Sequence, residues 1–132
     1  MARARNLKPS FFTNELLGSC PAWVRLLFEG LWCLADREGR LEDRPARIKA
    51  EVLPYDDEDV AAGLAMLAEK GFIERYEVKG RSFIHIVNFH KHQHPHPKET
   101  CGNYPGPSGN FREFQETSGN FRKGFGQQGP RA

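Results

Sequence analysis

Between Pro21 and Ala35 the apolar residues Trp23, Leu26, Leu27, Leu31 and Leu34 recur at three- and four-residue steps, with Val24, Phe28 and Trp32 widening the stripe. That period is the mark of an amphipathic helix, and only Arg25, Glu29 and Asp36 define its wet side, so the pattern predicts the central helix of the fold. Pro21 suits the first helical position, where its missing N–H costs nothing. A shorter helix is predicted around Asn14 to Leu17, capped by Thr13 or Asn14. The run Asp36-Arg37-Glu38-Gly39-Arg40-Leu41 reads as a helix exit, with Gly39 free to take a positive φ, leading into a very short strand. Pro45 opens a second helix, Ala46 to about Val52, and Pro54 closes it. Asp56 or Asp57 caps a third helix, whose inward face is Val60, Leu64 and Leu67 and which Gly71 ends. Two strands follow, Phe72 to Val78 and Phe83 to Phe89, joined by the basic turn Lys79-Gly80-Arg81-Ser82.

Helix, minimal strand, helix, turn, helix and a hairpin with a charged tip: this order predicts an α+β domain of winged helix-turn-helix type, three to four helices plus a small antiparallel β-hairpin wing. Composition sets where that domain ends. Beyond Val87 there is no Leu, Ile, Val or Met, and the chain turns to His, Pro, Gly, Asn, Gln and isolated Phe. A segment without aliphatic side chains cannot offset the entropy of ordering its backbone. The predicted organisation is a basic N-terminal arm at 1–10, the winged-helix domain at 11–97 and a disordered Gly/Pro/Phe-rich tail at 98–132. Removing everything after Lys98 is expected to leave stability nearly intact.

With 132 residues and a formal net charge of +2, the chain supports one modest core and carries no bulk charge that would mark a nucleic-acid binder. Its three cysteines are an odd number without CxxC pairing, which fits a reducing cytoplasm better than a disulfide framework or a cysteine zinc finger. No apolar h-region follows Met-Ala-Arg-Ala-Arg. The apolar stretch from Trp23 to Ala35 is interrupted by Arg25 and Glu29 and is too short to span a bilayer. A cytoplasmic protein without membrane contact is expected.

The segments Ala4-Arg5-Asn6-Leu7-Lys8-Pro9-Ser10-Phe11-Phe12, Leu26-Leu27-Phe28-Glu29-Gly30-Leu31-Trp32, Leu34-Ala35-Asp36-Arg37-Glu38-Gly39-Arg40-Leu41-Glu42-Asp43 and Val87-Asn88-Phe89 through Pro95-His96 resemble a family of small phage and prophage proteins. That family is similar to the winged-helix N-terminal domains of phage replisome organisers and DnaD-like primosomal proteins. The resemblance covers residues 3 to 98 and implies a DNA-binding role in replication. One departure is Cys20, where the family pattern often has a serine before the proline. A thiol is a poorer cap than a hydroxyl, so that helix start is expected to fray.

Charge is distributed unevenly. The third helix begins with Asp56, Asp57, Glu58 and Asp59, and its middle is Ala61, Ala62, Gly63, Ala65 and Met66. Phosphate repulsion and a lack of donors oppose base reading by this helix in a major groove. Candidate DNA contacts lie elsewhere: Arg3, Arg5 and Lys8 on a flexible arm that could enter a minor groove, Arg44, Arg47 and Lys49 on or beside the second helix, and Lys79 and Arg81 at the wing tip. The acids and arginines of Asp36 to Arg40 are read as a structural connector held by salt bridges.

His90, His92, His94 and His96 alternate, but Pro95 and Pro97 make that stretch extended and unfocused, so no metal site and no catalytic residue is assigned. The segment is read instead as a docking strap after the last strand. Ser108-Gly109-Asn110-Phe111-Arg112 returns as Ser118-Gly119-Asn120-Phe121-Arg122, a pattern suited to single-stranded DNA or a replication partner as well as to a plain linker. The expectation is a non-enzymatic, cofactor-free, DNA-binding winged-helix protein of phage or prophage origin acting in replication, weak or nonspecific toward DNA and able to dimerise. A phage transcriptional regulator, or a protein–protein interaction module without DNA binding, is the alternative.

Overall fold

A computed structural model describes residues 2–99 and 104–107. Among them six helices and three strands form an α+β fold: α1 (Ser10–Thr13), α2 (Glu15–Gly18), α3 (Ala22–Leu34), β1 (Arg40–Glu42), α4 (Pro45–Val52), α5 (Val60–Glu69), β2 (Ile73–Val78), β3 (Arg81–Ile86) and α6 (Phe89–His92). No helix of the described residues is long and apolar enough to cross a membrane.

The apolar stripe of α3 sits at the centre. Val24, Leu27 and Leu31 are fully buried, against Leu17 of α2, Ile48 of α4, Leu64 and Leu67 of α5, and Leu41, Ile73, Ile84 and Ile86 of the sheet. Pro21 stands one residue earlier than expected, as the N-cap of α3. Asn14 caps α2, its side chain accepting from the Leu17 amide at 3.0 Å. The cap of α5 is Asp59, not Asp56 or Asp57: its carboxylate accepts from the Ala62 amide at 3.2 Å, while the Asp56 amide is drawn back into a turn onto the Leu53 carbonyl. A cap must stand directly before the first helical residue to reach the third amide.

Where α3 and α5 cross, Gly63 lets the backbones close up. A Cβ there would lie 2.8 Å from the Trp23 ring and 2.9 Å from a Leu27 methyl. Gly63→Ala is therefore expected to destabilise the fold by about 1 to 3 kcal/mol, the usual cost of overpacking, read as a lower urea midpoint at unchanged slope.

The sheet is antiparallel in the order β1-β3-β2. Its hairpin is tighter than expected. Lys79 (φ 52°) and Gly80 (φ 81°) both adopt positive φ, so the turn has two residues, and Val78 pairs directly with Arg81. Positive φ at both central positions is the primed geometry that matches strand twist. Arg81 and Ser82 thus belong to β3, and the strand ends at Ile86 because left-handed Asn88 (φ 61°) turns the chain into α6.

The predicted arm and the described residues of the predicted tail are engaged by the domain. The Arg3 amide donates to the Cys33 carbonyl at 2.9 Å, and Arg5 donates to the Trp32 and Ala35 carbonyls at 3.0 Å, meeting the unpaired end of α3 with positive charge. Glu99 completes the clasp, taking both ends of the Arg5 guanidinium at 3.0 and 2.8 Å and Arg3 Nε at 2.8 Å. Gln93 is buried, and its side-chain amide exchanges two hydrogen bonds with the Asn6 backbone, at 2.8 and 2.9 Å, which gives the strap its docking point.

Further on, residues 104–107 cross the outer face of the sheet. Tyr104 packs on Phe83 with ring centroids 5.9 Å apart, its carbonyl accepts from buried Arg40 at 3.0 Å, and the Pro105 carbonyl accepts from the Tyr76 hydroxyl at 2.7 Å. The connector works through this tail. Asp36 accepts from the amides of Glu38 and Arg40, Arg37 donates to the carbonyls of Pro97 and Glu99, and Glu38 meets His90 at 3.3 Å.

Truncation after Lys98 is accordingly expected to lower stability by several kcal/mol. It removes the Arg5 partner and uncovers Phe83 and Arg40, reversing the sequence-based expectation. Truncation after Pro107 keeps these contacts and serves as the comparison in thermal melts. The Ser-Gly-Asn-Phe-Arg repeats lie outside the described residues.

Candidate nucleic-acid interface

The register of the sheet brings separate basic groups to one place. Glu42 ends β1 opposite Phe83, and the Asp43 amide donates to the Ser82 carbonyl at 3.0 Å, so the start of α4 lies beside the β2–β3 hairpin. Arg81 reaches Glu42 Oε2 at 2.6 Å, and Arg44 approaches the other oxygen at 3.8 Å. The Arg81 guanidinium also lies over the Phe83 ring, 5.1 Å from its centroid. Lys79 is exposed at the hairpin tip, Arg47 is exposed on α4 within 3.7 Å of Glu51 one turn on, and Lys49 is half-buried.

These pairs are weak by construction. Arg81 and Arg44 remain 59% and 58% exposed, and exposed ion pairs stabilise a fold by only about 0.2 to 1 kcal/mol. A phosphate can take over from Glu42 at small cost. Sequence reasoning passed over Arg75, which forks onto Asp43 at 2.6 and 3.0 Å and fixes the hairpin to the β1–α4 corner. The signal was in the register, since Arg75 pairs with Ile84 and Ile84 with Leu41, two residues before Asp43.

Arg3, Arg5 and Lys8 are not brought to this group. Arg5 is only 4% exposed and lies over the Phe89 ring, Arg3 shares Glu99, and Lys8 donates to the Lys91 carbonyl at 3.2 Å. The charge of Arg3 and Arg5 is spent on closing the domain. Ala61, Ala62, Ala65 and Glu69 are the exposed residues of α5, so its exposed side presents one carboxylate and no hydrogen-bond donor side chain.

The histidines take divergent roles. His90 and His92 stand on α6 rather than on an extended segment, His96 accepts from the Lys98 amide at 3.0 Å, and among the described residues no group of three or more His, Cys, Asp or Glu could hold a metal ion. Burial pushes the imidazole of His85 below its ordinary 6.5, with Glu74 partly opposing. Burial does the same to His92, helped by Lys8 and Lys91.

A lowered histidine pKa means that the unfolded chain takes up the proton first. Stability is therefore full above about pH 6.5 and falls as the pH drops below it toward the depressed folded values. Thermal midpoints are expected to decline between pH 7 and 5, and His85→Gln should flatten that decline. An unchanged slope would assign it to other groups.

No family model, curated protein or solved structure matches the chain.

Proposed function

We propose that this chain is a winged helix-turn-helix DNA-binding module, without catalytic activity, that holds duplex DNA through its wing and the start of α4. The element order from α3 to β3, with a minimal strand between the first two helices and a hairpin at the end, supports the winged class. The observation that carries the reading is the gathering of Arg81 and Arg44 on Glu42 beside the exposed tip of Lys79. Exposed arginines on such a site neutralise phosphates without reading bases, which gives affinity with little sequence preference. The alanine side of α5 and the acids before it fit major-groove reading poorly, so a transcriptional regulator has less support.

Within that class, the resemblance to phage and prophage replication proteins favours an organiser or accessory role in replication, inside the cytoplasm. The Phe-Arg repeats then recruit single-stranded DNA or a replication partner.

The test is binding of the full chain to unrelated duplexes across a salt series. Lys79→Ala with Arg81→Ala should weaken binding on every sequence and flatten the salt dependence by roughly one to two phosphate contacts. Glu42→Gln should strengthen binding, because it frees both arginines. Affinity indifferent to all three changes would remove the wing from the interface.

A further inference from the structure

Away from the wing, a groove of about 340 Å³ opens between the N-terminal helices, the end of α5 and α6. Its floor is apolar, formed by Phe11, Leu17, Phe28, Trp32 and Phe72, and its charged rim is Lys8 and Lys70. No Asp or Glu lines it among the described residues. Its mouth continues into an exposed apolar patch, with Leu16 57% and Phe12 69% accessible. That combination selects a ligand with an apolar or aromatic group flanked by negative charge.

The chain itself displays such a group. Tyr55 is 97% exposed, the most accessible large apolar side chain among the described residues, and Asp56-Asp57-Glu58-Asp59 follow it directly. Leu53, two residues before, is buried, and Asp59, four after, caps α5, so the loop is pinned at both ends. The groove includes Lys70, Gly71 and Phe72, just past the other end of the ten-residue α5, roughly 15 Å away at helical rise. A protomer therefore cannot fill its own groove with its own Tyr55. Residues 108–132 are a poorer electrostatic match: Glu113 and Glu116 flank Phe114, but Arg112, Arg122, Lys123 and Arg131 outnumber them, whereas four consecutive acids follow Tyr55.

We propose that the groove receives Tyr55 and the acids after it from a second copy of the chain, joining protomers head to tail. Knob and hole stand at opposite ends of one helix, so the contact is heterologous and continues from copy to copy until a ring closes or a chain of protomers grows. Each added copy carries its own wing, so weak DNA contacts multiply along one duplex. The proposal stands independently of the DNA reading, since its readout needs no nucleic acid.

Sedimentation of the full chain over a wide concentration range tests it. Wild type should associate progressively beyond a dimer, and Tyr55→Ala or Lys70→Glu should each weaken association about tenfold or more, the scale of losing an aromatic anchor or reversing a charge. Melting curves matching wild type establish that both variants fold. Mixing the two variants should restore a one-to-one complex and nothing larger, because one keeps its groove and the other its tyrosine. A peptide spanning residues 53–60 should dissolve wild-type assemblies and change Trp32 fluorescence.

Monomers at every concentration, or a dimer untouched by both substitutions, would overturn the proposal. So would peptide binding to a protein that never self-associates, which would assign the groove to a different acidic partner. Loss of DNA affinity in Lys70→Glu with self-association unchanged would make the groove a phosphate contact instead.

Discussion

Replacing Arg5 with alanine is expected to destabilise the domain by about 3 kcal/mol, the lower end of the range for removing one member of a buried ion pair. The lower end applies because Glu99 is 11% exposed and keeps Arg3 as a second partner. Three groups lose a donor together, the Glu99 carboxylate and the Trp32 and Ala35 carbonyls at the end of α3, although Arg3 still serves Glu99 and the Ala35 carbonyl. Arg5→Lys should recover only part of the loss, since an ammonium cannot supply the forked geometry. Glu99→Gln should cost less than Arg5→Ala, and the double substitution less than their sum, the sign of direct coupling. Urea unfolding followed by tryptophan fluorescence measures all four proteins. An Arg5→Ala midpoint within error of wild type would mean that the clasp stands open in solution.

Acid should loosen the same clasp. Arg5 holds the Glu99 carboxyl below its ordinary 4.5, so its contribution is complete above that value and disappears as the pH falls through the depressed one. This loss begins only below about pH 4.5, whereas that of His85 begins below about pH 6.5.

Gly39→Ala is expected to cost a comparable amount, about 3 kcal/mol, from two sources that add. The residue has φ +80°, where an L side chain is strained by roughly 1 kcal/mol, and its new Cβ would lie 2.7 Å from Cβ and 2.8 Å from Cγ of buried Phe89. Overpacking against a fixed ring contributes about 1 to 3 kcal/mol more. The turn cannot shift to relieve either, because the Gly39 amide donates to the Asp36 carbonyl at 3.0 Å and its carbonyl accepts from Ile86 at 2.8 Å. For a domain of this size the melting temperature should fall by about 12 °C or more. Gly18→Ala is the matched control, since nothing lies within 4 Å of its added Cβ and the residue is helical. Similar melting of the two variants would show that the Asp36–Arg40 turn adapts.

How much of this was legible depended on sequence distance. The α3 stripe, the α4 boundaries set by Pro45 and Pro54, and the inward face Val60, Leu64 and Leu67 are local signals, and the structure follows them. Boundaries slipped where a residue took an uncommon conformation. Lys79 and Asn88 adopt positive φ, rare for lysine and more accessible to asparagine, and each moved an end of β3. Among four consecutive acids, only the backbone geometry distinguishes Asp59 as the cap.

The candidate site was legible as residue types and not as an arrangement. Lys79 and Arg81 were evident at a basic hairpin, but the meeting of Arg44 with Arg81 depends on the pairing of β1 with β3. Hardest of all was Arg5, which resembles any solvated arginine until Glu99 is placed beside it. Composition misled in the same way for residues 104–107. They lack aliphatic side chains, yet Tyr104 and two backbone carbonyls suffice to seat them on a sheet that offers Phe83, Tyr76 and Arg40.

The Arg5–Glu99 contact joins residues 94 apart in the chain. A closure of that length costs on the order of 4 kcal/mol in chain entropy beyond a contact between neighbours, so it forms late, once the intervening helices and sheet have shortened the path. Synthesis runs toward the C-terminus, which means that Arg3 and Arg5 leave the ribosome well before Glu99 and wait for it before they are secured. During that interval the end of α3 is bare, and a nascent chain arrested before residue 99 would present it to proteases and chaperones.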